Sequence, residues 1–446
     1  MSSSAAACDL SPIWQAGVAR SPQRGPSAQA IEPFESVRPM TWATNQARND
    51  EAADAAQFLS RFGYVMLALG IPTGAVLYEL AVFVLYPVAI VSFVLAAILD
   101  PPEGMWRRMS QTFSQPIVGL SLALIAWAGI SVLWTPFSIP AGQHILKMSL
   151  WLVSIFLALT TTRGHARATD LYLFPIGLVI GMVALFAAFV AGRYGAEVAP
   201  QRITDGAVVL VTTLYPAMGG LAARGRNGWG RLLLIAAFIY AYAAGSTPMV
   251  VALLVGFAAL SFAVSDLERT TRDLAWGVAA FMALGPLAVI VTAELSRLVM
   301  HSGLSALDPP FPTIARGYAM VIHEKLLLIT GHGFEALTRG LATGIFPPVT
   351  PRGQLFAIWF ELGVVGALLA AAAIWVGFRR IADAPARLAP YLAATLACNL
   401  TLATLSENFG DMLWTVALGV AILSADVAAR SQYRTTRPSA AHLALF

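Results

Sequence analysis

The stretch 350-TPRGQLFAIWFELGVVGALL-369 begins with a short polar segment and continues as an apolar run to about residue 377. An uninterrupted run of this kind is long enough to cross ~30 Å of hydrocarbon as a helix. It contains one carboxylate, Glu361, and Arg352 lies directly before it. The stretch therefore predicts a membrane-spanning helix with an arginine at its entrance.

The composition of the whole chain agrees with this prediction. Of its 446 residues, 58% are hydrophobic and 12% are charged, and the mean hydropathy is +0.70. A soluble domain carries roughly 25% charged residues. The charges of this chain cluster in short breaks between apolar runs, which is typical of an all-α polytopic membrane protein.

Net charge and cysteine content exclude other classes. The formal charge is +4, but the arginines are scattered among connections and form no stripe, so we expect no nucleic-acid partner. Cys8 lies in a polar tail and Cys398 in an apolar run, and this placement indicates neither a disulfide framework nor a metal site.

Apolar periodicity predicts about twelve transmembrane helices. Their approximate bounds are 62–80, 82–99, 116–134, 145–162, 171–191, 206–223, 231–246, 248–265, 274–292, 355–377, 388–405 and 411–428. The turn Gly245-Ser246-Thr247-Pro248 separates the seventh from the eighth, since proline after small polar residues begins a new helix.

Basic residues predict which side of the membrane each connection faces. Every second connection carries an arginine pair or triplet: Arg107 and Arg108; Arg163 and Arg167; Arg224, Arg226 and Arg231; Arg269 and Arg272; Arg379, Arg380 and Arg387. The positive-inside rule places these connections in the cytoplasm. We therefore predict a flexible cytoplasmic tail over 1–57, a transmembrane domain over 58–430, and a cytoplasmic C-terminal tail over 431–446.

One long connection, residues 293–354 between the ninth and tenth helices, falls on the periplasmic side. Loops of this length inside a compact protein are functional or disordered. It carries five cations and three histidines: Arg297, Arg316, Lys325, Arg339, Arg352, His301, His323 and His332. Such cations near a membrane suit an anionic group, for example the phosphates of a lipid carrier. The alternative is that they extend to phospholipid headgroups.

Two further features belong to this outer side. The sequence Gly331-His332-Gly333 predicts a tight turn, because glycine relieves the steric limit on the backbone. The connection between the fifth and sixth helices carries Arg193 and Arg202, which either face the same vestibule or are neutralised by neighbouring acidic residues.

Three elements of the chain, in order, carry a resemblance to a known family. They are Arg316, then 331-GHGFEA-336, then 358-IWFELGVVGALL-369. Together with twelve helices and a long periplasmic loop, they resemble the O-antigen ligase and polymerase superfamily. These bacterial inner-membrane enzymes move sugar chains from an undecaprenyl-pyrophosphate carrier.

The resemblance implies glycosyl transfer at the periplasmic face without a metal or other cofactor. Its partners are then the lipid-linked glycan donor, membrane lipids and other polysaccharide-assembly proteins. Arginines bind the pyrophosphate leaving group, and Arg316 matches the family arginine. By the same reasoning, Gly331 and Gly333 match the family turn. The substrate-binding candidates are Arg316, Arg352, Arg193, Arg202, Arg297, Lys325, Arg339 and His323.

The chain also departs from the family pattern. Relatives carry a His-Pro-His-Asn sequence where this chain has Thr350-Pro351-Arg352-Gly353. An arginine can hold a phosphate but cannot act as a base near neutral pH. The base is then His332 or His323, with His332 preferred as a catalytic residue. Glu361 is a second catalytic candidate; alternatively it pairs with Arg352 or caps its helix.

Three functional hypotheses follow. The first is a glycosyltransferase of the ligase or polymerase type. The second is a non-catalytic or altered relative that binds a polyprenyl-linked glycan during polysaccharide assembly. The third, a secondary transporter, has the least support because the sequence shows no internal repeat and almost no charge within the spans.

Overall fold

A computed structural model describes residues 41–102, 104–162, 169–193, 200–243, 246–301, 325–346, 350, 352–406 and 412–431. These residues form helices and contain no β-strand. In chain order the helices are α1 (Thr41–Val65), α2 (Ile71–Leu77), α3 (Glu79–Leu99), α4 (Met105–Phe113), α5 (Pro116–Ser131), α6 (Ser138–Thr161), α7 (Leu173–Arg193), α8 (Pro200–Ala223), α9 (Asn227–Ala243), α10 (Thr247–Ser265), α11 (Leu267–His301), α12 (Lys325–Thr330), α13 (Ala336–Ala342), α14 (Gln354–Ala357), α15 (Gly363–Ile381), α16 (Ala389–Leu405) and α17 (Met412–Ser431).

The chain divides into two units after Asn49. Of the first unit, the structure describes only the helical residues 41–49. The second unit, Asp50–Phe446, holds α2 to α17. Helix α1 begins at Thr41, ahead of residue 58, where the transmembrane domain was predicted to start.

Several helices are long and apolar enough to cross a membrane, as the sequence predicted. Eight described segments qualify: Glu51–Leu77, Leu80–Leu99, Ser138–Thr161, Asp170–Gly192, Ile203–Ala223, Thr247–Ser265, Gln354–Ile381 and Leu413–Arg430. A bent pair, Met105–Phe113 with Pro116–Ser131, adds a ninth if it forms one span.

Each of the twelve predicted segments nevertheless overlaps a described helix, although 62–80 and 355–377 are each interrupted by a π-helix. Helices α9 and α16 have 17 residues each, at the lower end of the roughly 17–25 that a spanning helix needs. Helix α10 begins at Thr247 with Pro248 in its first turn, as the turn residues predicted. The count of twelve spans and the position of the long loop remain predictions.

Helix α8 is the most buried of the candidate spans. In its most apolar part, 89% of the residues are buried, and the helix packs against α7, α9, α16 and α17. Small residues permit this close approach. Tyr215 of α8 lies against Gly256 of α10, and its hydroxyl donates a hydrogen bond to the carbonyl of Leu253 at 2.7 Å.

Helices α5, α11 and α15 form a second packed group. Residues of the predicted long loop, 293–354, pack against this group. The helix that contains the opening stretch is interrupted by a π-helix over Ile358–Leu362. Trp359 in this interruption donates a hydrogen bond from Nε1 to the carbonyl of Met282 in α11, at 2.8 Å. The interruption is thus fixed to the neighbouring helix.

The predicted sidedness can be tested with single cysteines. We expect a membrane-impermeant maleimide to label Thr343→Cys in intact cells, and Asp383→Cys only after permeabilisation. Both positions are exposed, and the natural Cys398 is buried, so only Cys8 needs replacement by serine. Labelling of Asp383→Cys in intact cells would contradict the orientation drawn from the arginines.

Candidate functional site

The turn predicted at residues 331–333 is present, and both its glycines are necessary. Gly331 has φ +73° and Gly333 has φ +95°, in the region that favours glycine. A Cβ atom on Gly331 would lie 2.1 Å from the carbonyl oxygen of Glu361. One on Gly333 would lie 2.6 Å from the Cβ of Thr135. Conformation and space therefore exclude larger residues at both positions.

The turn binds to the π-helical interruption of the tenth predicted span. The N–H of His332 donates to the carbonyl of Phe360 at 2.8 Å, and the N–H of Gly333 donates to that of Glu361 at 3.0 Å. The next carbonyl, of Leu362, accepts a hydrogen bond from Trp127 Nε1 at 2.9 Å. Gly363 ends the interruption with φ +65°. Three successive carbonyls are thus satisfied from outside their own helix.

The end of α5 holds the other side of the same turn. Trp134 Nε1 donates to the carbonyl of Gly331 at 3.2 Å. The N–H of Phe334 donates to the hydroxyl of Ser131 at 3.0 Å. The turn is therefore held between the end of α5 and the start of α15.

Glu335, directly after the turn, brings three ionisable side chains together. Its φ is +67°, and it is the sole non-glycine residue with positive φ in the described part of the chain. Its carboxylate is buried and contacts Nδ1 of His144 through Oε1. Its second oxygen, Oε2, accepts a hydrogen bond from Nε of Arg339 at 3.2 Å. A buried, strained carboxylate with two partners is a common feature of functional sites.

The electrostatics of Glu335 favour its charged form. Burial raises the pKa of this carboxyl, but the hydrogen bond and charge of His144, followed by Arg339, outweigh it. The pKa therefore lies below its ordinary value of 4.5. Glu335 stays ionised at neutral pH between two basic groups.

This arrangement suits proton transfer at His144. Because Nδ1 faces the carboxylate of Glu335, the neutral ring with a proton on Nδ1 keeps Nε2 as its basic nitrogen. The His144 side chain is 22% exposed, so the ring reaches solvent. Arg339 is 48% exposed and adds a cation beside it. The cluster of His144, Glu335 and Arg339 combines a base, an orienting carboxylate and an anion-binding group.

The two predicted catalytic residues lie next to this cluster but make structural contacts. His332 stacks on the ring of Phe360, with centroids 4.0 Å apart and planes 4° apart, and its Nδ1 lies 3.0 Å from the Phe360 carbonyl. Buried Glu361 accepts a hydrogen bond from the N–H of Leu337 at 3.0 Å, in the first turn of α13. This contact is not the predicted cap of its own helix, because the N–H that Glu361 binds belongs to α13. The described ion pairs do not include one with Arg352.

The structure places only some of the predicted substrate-binding residues. Arg339 belongs to the cluster, and Arg352 is exposed just before α14. Arg193, Arg202, Arg297 and Lys325 occupy helices, and their side chains lie outside the described part. Arg316 and His323 lie outside the described residues altogether.

Sequence reasoning missed His144 and Glu335 as site residues. Glu335 is part of 331-GHGFEA-336, but its side chain carried no motif of its own. His144 is an ionisable residue near the start of an apolar helix, which by itself indicates a functional candidate. The sequence did not predict their contact, because 190 residues separate them and no sequence pattern joins them.

The described residues contain no group of three or more His, Cys, Asp and Glu side chains that could hold a metal ion. Comparison with protein-family models, curated proteins and solved structures gives no match to the chain. The resemblance to O-antigen ligases therefore rests on the sequence motifs.

Replacing Gly331 by alanine tests how much the close packing of the turn contributes to stability. Gly344 has φ +74° but open space around it, so Gly344→Ala should cost only the left-handed backbone penalty of about 1–2 kcal/mol. Gly331→Ala has the same backbone penalty, and its Cβ also clashes with the Glu361 carbonyl. We therefore expect this variant to lose more than about 3 kcal/mol of its free energy of unfolding. Melting temperatures in detergent measure both, and equal losses would contradict the packing described for Gly331.

The lowered pKa of Glu335 predicts a pH-dependent contribution to stability. A carboxyl whose folded pKa is depressed stabilises the fold fully above its unfolded pKa, and this stabilisation is lost as pH falls through the folded pKa. We expect wild type to be more stable than Glu335→Gln at pH 7, with the difference shrinking below pH 4.5.

The ionisable neighbours in this experiment are His144 on α6, Arg339 on α13 and Glu361 beside α13. Asp383→Asn is the matched control, since Asp383 pairs with Arg380 at 4.0 Å but is largely exposed. Melting temperatures from pH 7 to pH 4 provide the comparison. A pH-independent difference for Glu335→Gln, or an equal trend for Asp383→Asn, would contradict the prediction.

Proposed function

We propose that the chain is a membrane glycosyltransferase of the O-antigen ligase or polymerase type. It would transfer a glycan from undecaprenyl pyrophosphate to an acceptor at the periplasmic face of a bacterial inner membrane. The observation that carries this proposal is the cluster of His144, Glu335 and Arg339, held by the glycine turn that resembles the family motif.

The helix ends support a periplasmic position for this cluster. Helix α5 begins after Arg107 and Arg108, and α15 ends at Arg379 and Arg380. The turn contacts the opposite ends of both helices. If the arginine-bearing ends face the cytoplasm, as the positive-inside rule requires, the cluster faces the periplasm.

The chemistry divides among the three side chains. The acceptor hydroxyl attacks the anomeric carbon of the donor sugar, the new glycosidic bond forms, and the carbon–oxygen bond to pyrophosphate breaks. Nε2 of His144 takes the hydroxyl proton, and Glu335 stabilises the imidazolium that results. Arg339 offsets the negative charge that grows on the departing pyrophosphate.

The loop cations supply the rest of the anion site in this proposal. Arg316 is the arginine that matches the family motif, and Arg352 stands where relatives place a histidine. Arg297 and Lys325, on α11 and α12, add positive charge. Guanidinium groups bind phosphate oxygens in pairs, so several arginines suit a pyrophosphate better than a monophosphate.

Two observations favour the second hypothesis, a non-catalytic protein that binds polyprenyl-linked glycan. Arg352 stands where relatives place their histidine, and His332 is stacked on Phe360. On this view, the cations hold the carrier while no group takes a proton. Release of the carrier separates the two functions, since only the transferase forms free undecaprenyl pyrophosphate.

The decisive experiment uses full-length protein in lipid nanodiscs with an undecaprenyl-pyrophosphate glycan and an acceptor glycan. We expect His144→Gln to lower the rate of carrier release by about 10²–10⁴-fold, as for loss of a general base. Glu335→Gln should lower it less and shift its pH profile. Arg379→Ala, an exposed arginine at the far end of α15, is the control and should release carrier at the wild-type rate.

Two results would contradict this assignment. Loss of release in His332→Gln with full activity in His144→Gln would move the base to His332. Tight donor binding by wild type without any release would favour the glycan-binding protein over the enzyme. Melting temperatures of each variant confirm that the protein remains folded.

A further inference from the structure

A large groove lies on the outer surface of the bundle, away from the His144 cluster. It runs between α7 and α9, with Leu221 of α8 behind it, and its volume is about 900 Å³. Ligand pockets in proteins reach roughly 300–1,000 Å³, so this groove is large enough for a substantial molecule.

The walls of the groove are apolar and open to the lipid region. On α7 they include Ile180, Val183 and Phe186, and on α9 Leu232 and Ile239, all of which are exposed at the protein surface. The lining extends along α7 from near its first turn to Phe189. At 1.5 Å per residue this covers about 21 Å, a large part of the ~30 Å hydrocarbon thickness of a bilayer. Hydrocarbon chains are therefore the natural occupant.

One end of the groove is basic and aromatic. Arg226 is part of the lining, and its guanidinium lies over the ring of Tyr172 at 5.2 Å from the centroid. Arg224 lies over the same ring at 5.8 Å. Trp229, 63% exposed, completes this end. Among the described residues, none of those that line the groove is acidic, so Arg226 gives this end of the groove a positive charge.

We propose that this groove binds one anionic glycerophospholipid of the surrounding membrane. Its acyl chains lie along α7 and α9, and its phosphate and headgroup contact Arg226, with Arg224 adding charge beside it. Basic pockets between transmembrane helices recognise anionic headgroups in this way. The aromatic ring of Tyr172 orients the guanidinium by a cation–π contact and leaves its edge for phosphate oxygens. This site is independent of the proposed transferase function.

Charge complementarity selects the anionic lipid over a neutral one. Arg226 lies at one end of the apolar groove, where the headgroup of a bound lipid would be. A zwitterionic headgroup carries a positive group of its own, which would be repelled by Arg226. Tyr172 and Trp229 at the same end of the groove are of the residue types that favour the membrane interface.

Native mass spectrometry of the full-length protein, titrated with phosphatidylglycerol, phosphatidylcholine or undecaprenyl phosphate, tests the site. We expect one phosphatidylglycerol per chain, bound more tightly than phosphatidylcholine. Arg226→Ala should weaken its binding about fivefold, and the double variant Arg224→Ala with Arg226→Ala about 25-fold, at low salt. Arg379→Ala is the matched control, since Arg379 lies over Trp375 at 5.9 Å but outside the groove, and its binding should equal that of wild type.

A second pair of variants tests the acyl-chain region. Val179→Trp fills the groove and should abolish the one-to-one binding, whereas Val91→Trp, on the exposed face of α3, should not. Unchanged affinity in the double arginine variant, or an equal loss in Arg379→Ala, would overturn the site. Tighter binding of undecaprenyl phosphate than phosphatidylglycerol would overturn the choice of a glycerophospholipid.

Discussion

The candidate site depends on a set of backbone hydrogen bonds between a glycine turn and a broken helix. A regular helix would use the carbonyls of Phe360 and Glu361 internally, but the π-helical interruption turns them toward His332 and Gly333. In an apolar environment an unsatisfied carbonyl costs several kcal/mol, so the interruption and the turn require each other. The strained conformation of Glu335 follows from this closure, because the chain must leave the turn toward α13.

Two glutamates near the turn are distinguished by their partners. Glu361 accepts its hydrogen bond from the backbone of α13, and it serves to hold that short helix. Glu335 meets two basic side chains, and its carboxylate can respond to a proton on His144. Pairs of carboxyl groups in one site commonly take different roles for this reason. Their different partners are the reason that Glu335, and not Glu361, belongs to the proposed catalytic cluster.

Sequence patterns predicted the features that depend on local chemistry. Apolar runs gave the helices, and Gly331 and Gly333 gave the turn, since each follows from residues adjacent in the chain. The contact of His144 with Glu335 could not be predicted, because it depends on how α6 packs beside the turn. The same limit applies to the groove between α7 and α9: its apolar walls look in sequence like any lipid-facing surface, and only the packing places Arg226 over Tyr172.

The two basic sites of the molecule differ in how their charge is balanced. Arg226 lies over an aromatic ring, and none of the described residues that line its groove is acidic, which suits the proposed anionic lipid. The charge of Arg339 is offset by Glu335, so a cluster with neutral His144 has a formal net charge of zero. A proton taken by His144 makes the cluster positive. In the proposed transfer, deprotonation of the acceptor would therefore create the positive field that the leaving pyrophosphate needs, at the moment when its charge develops.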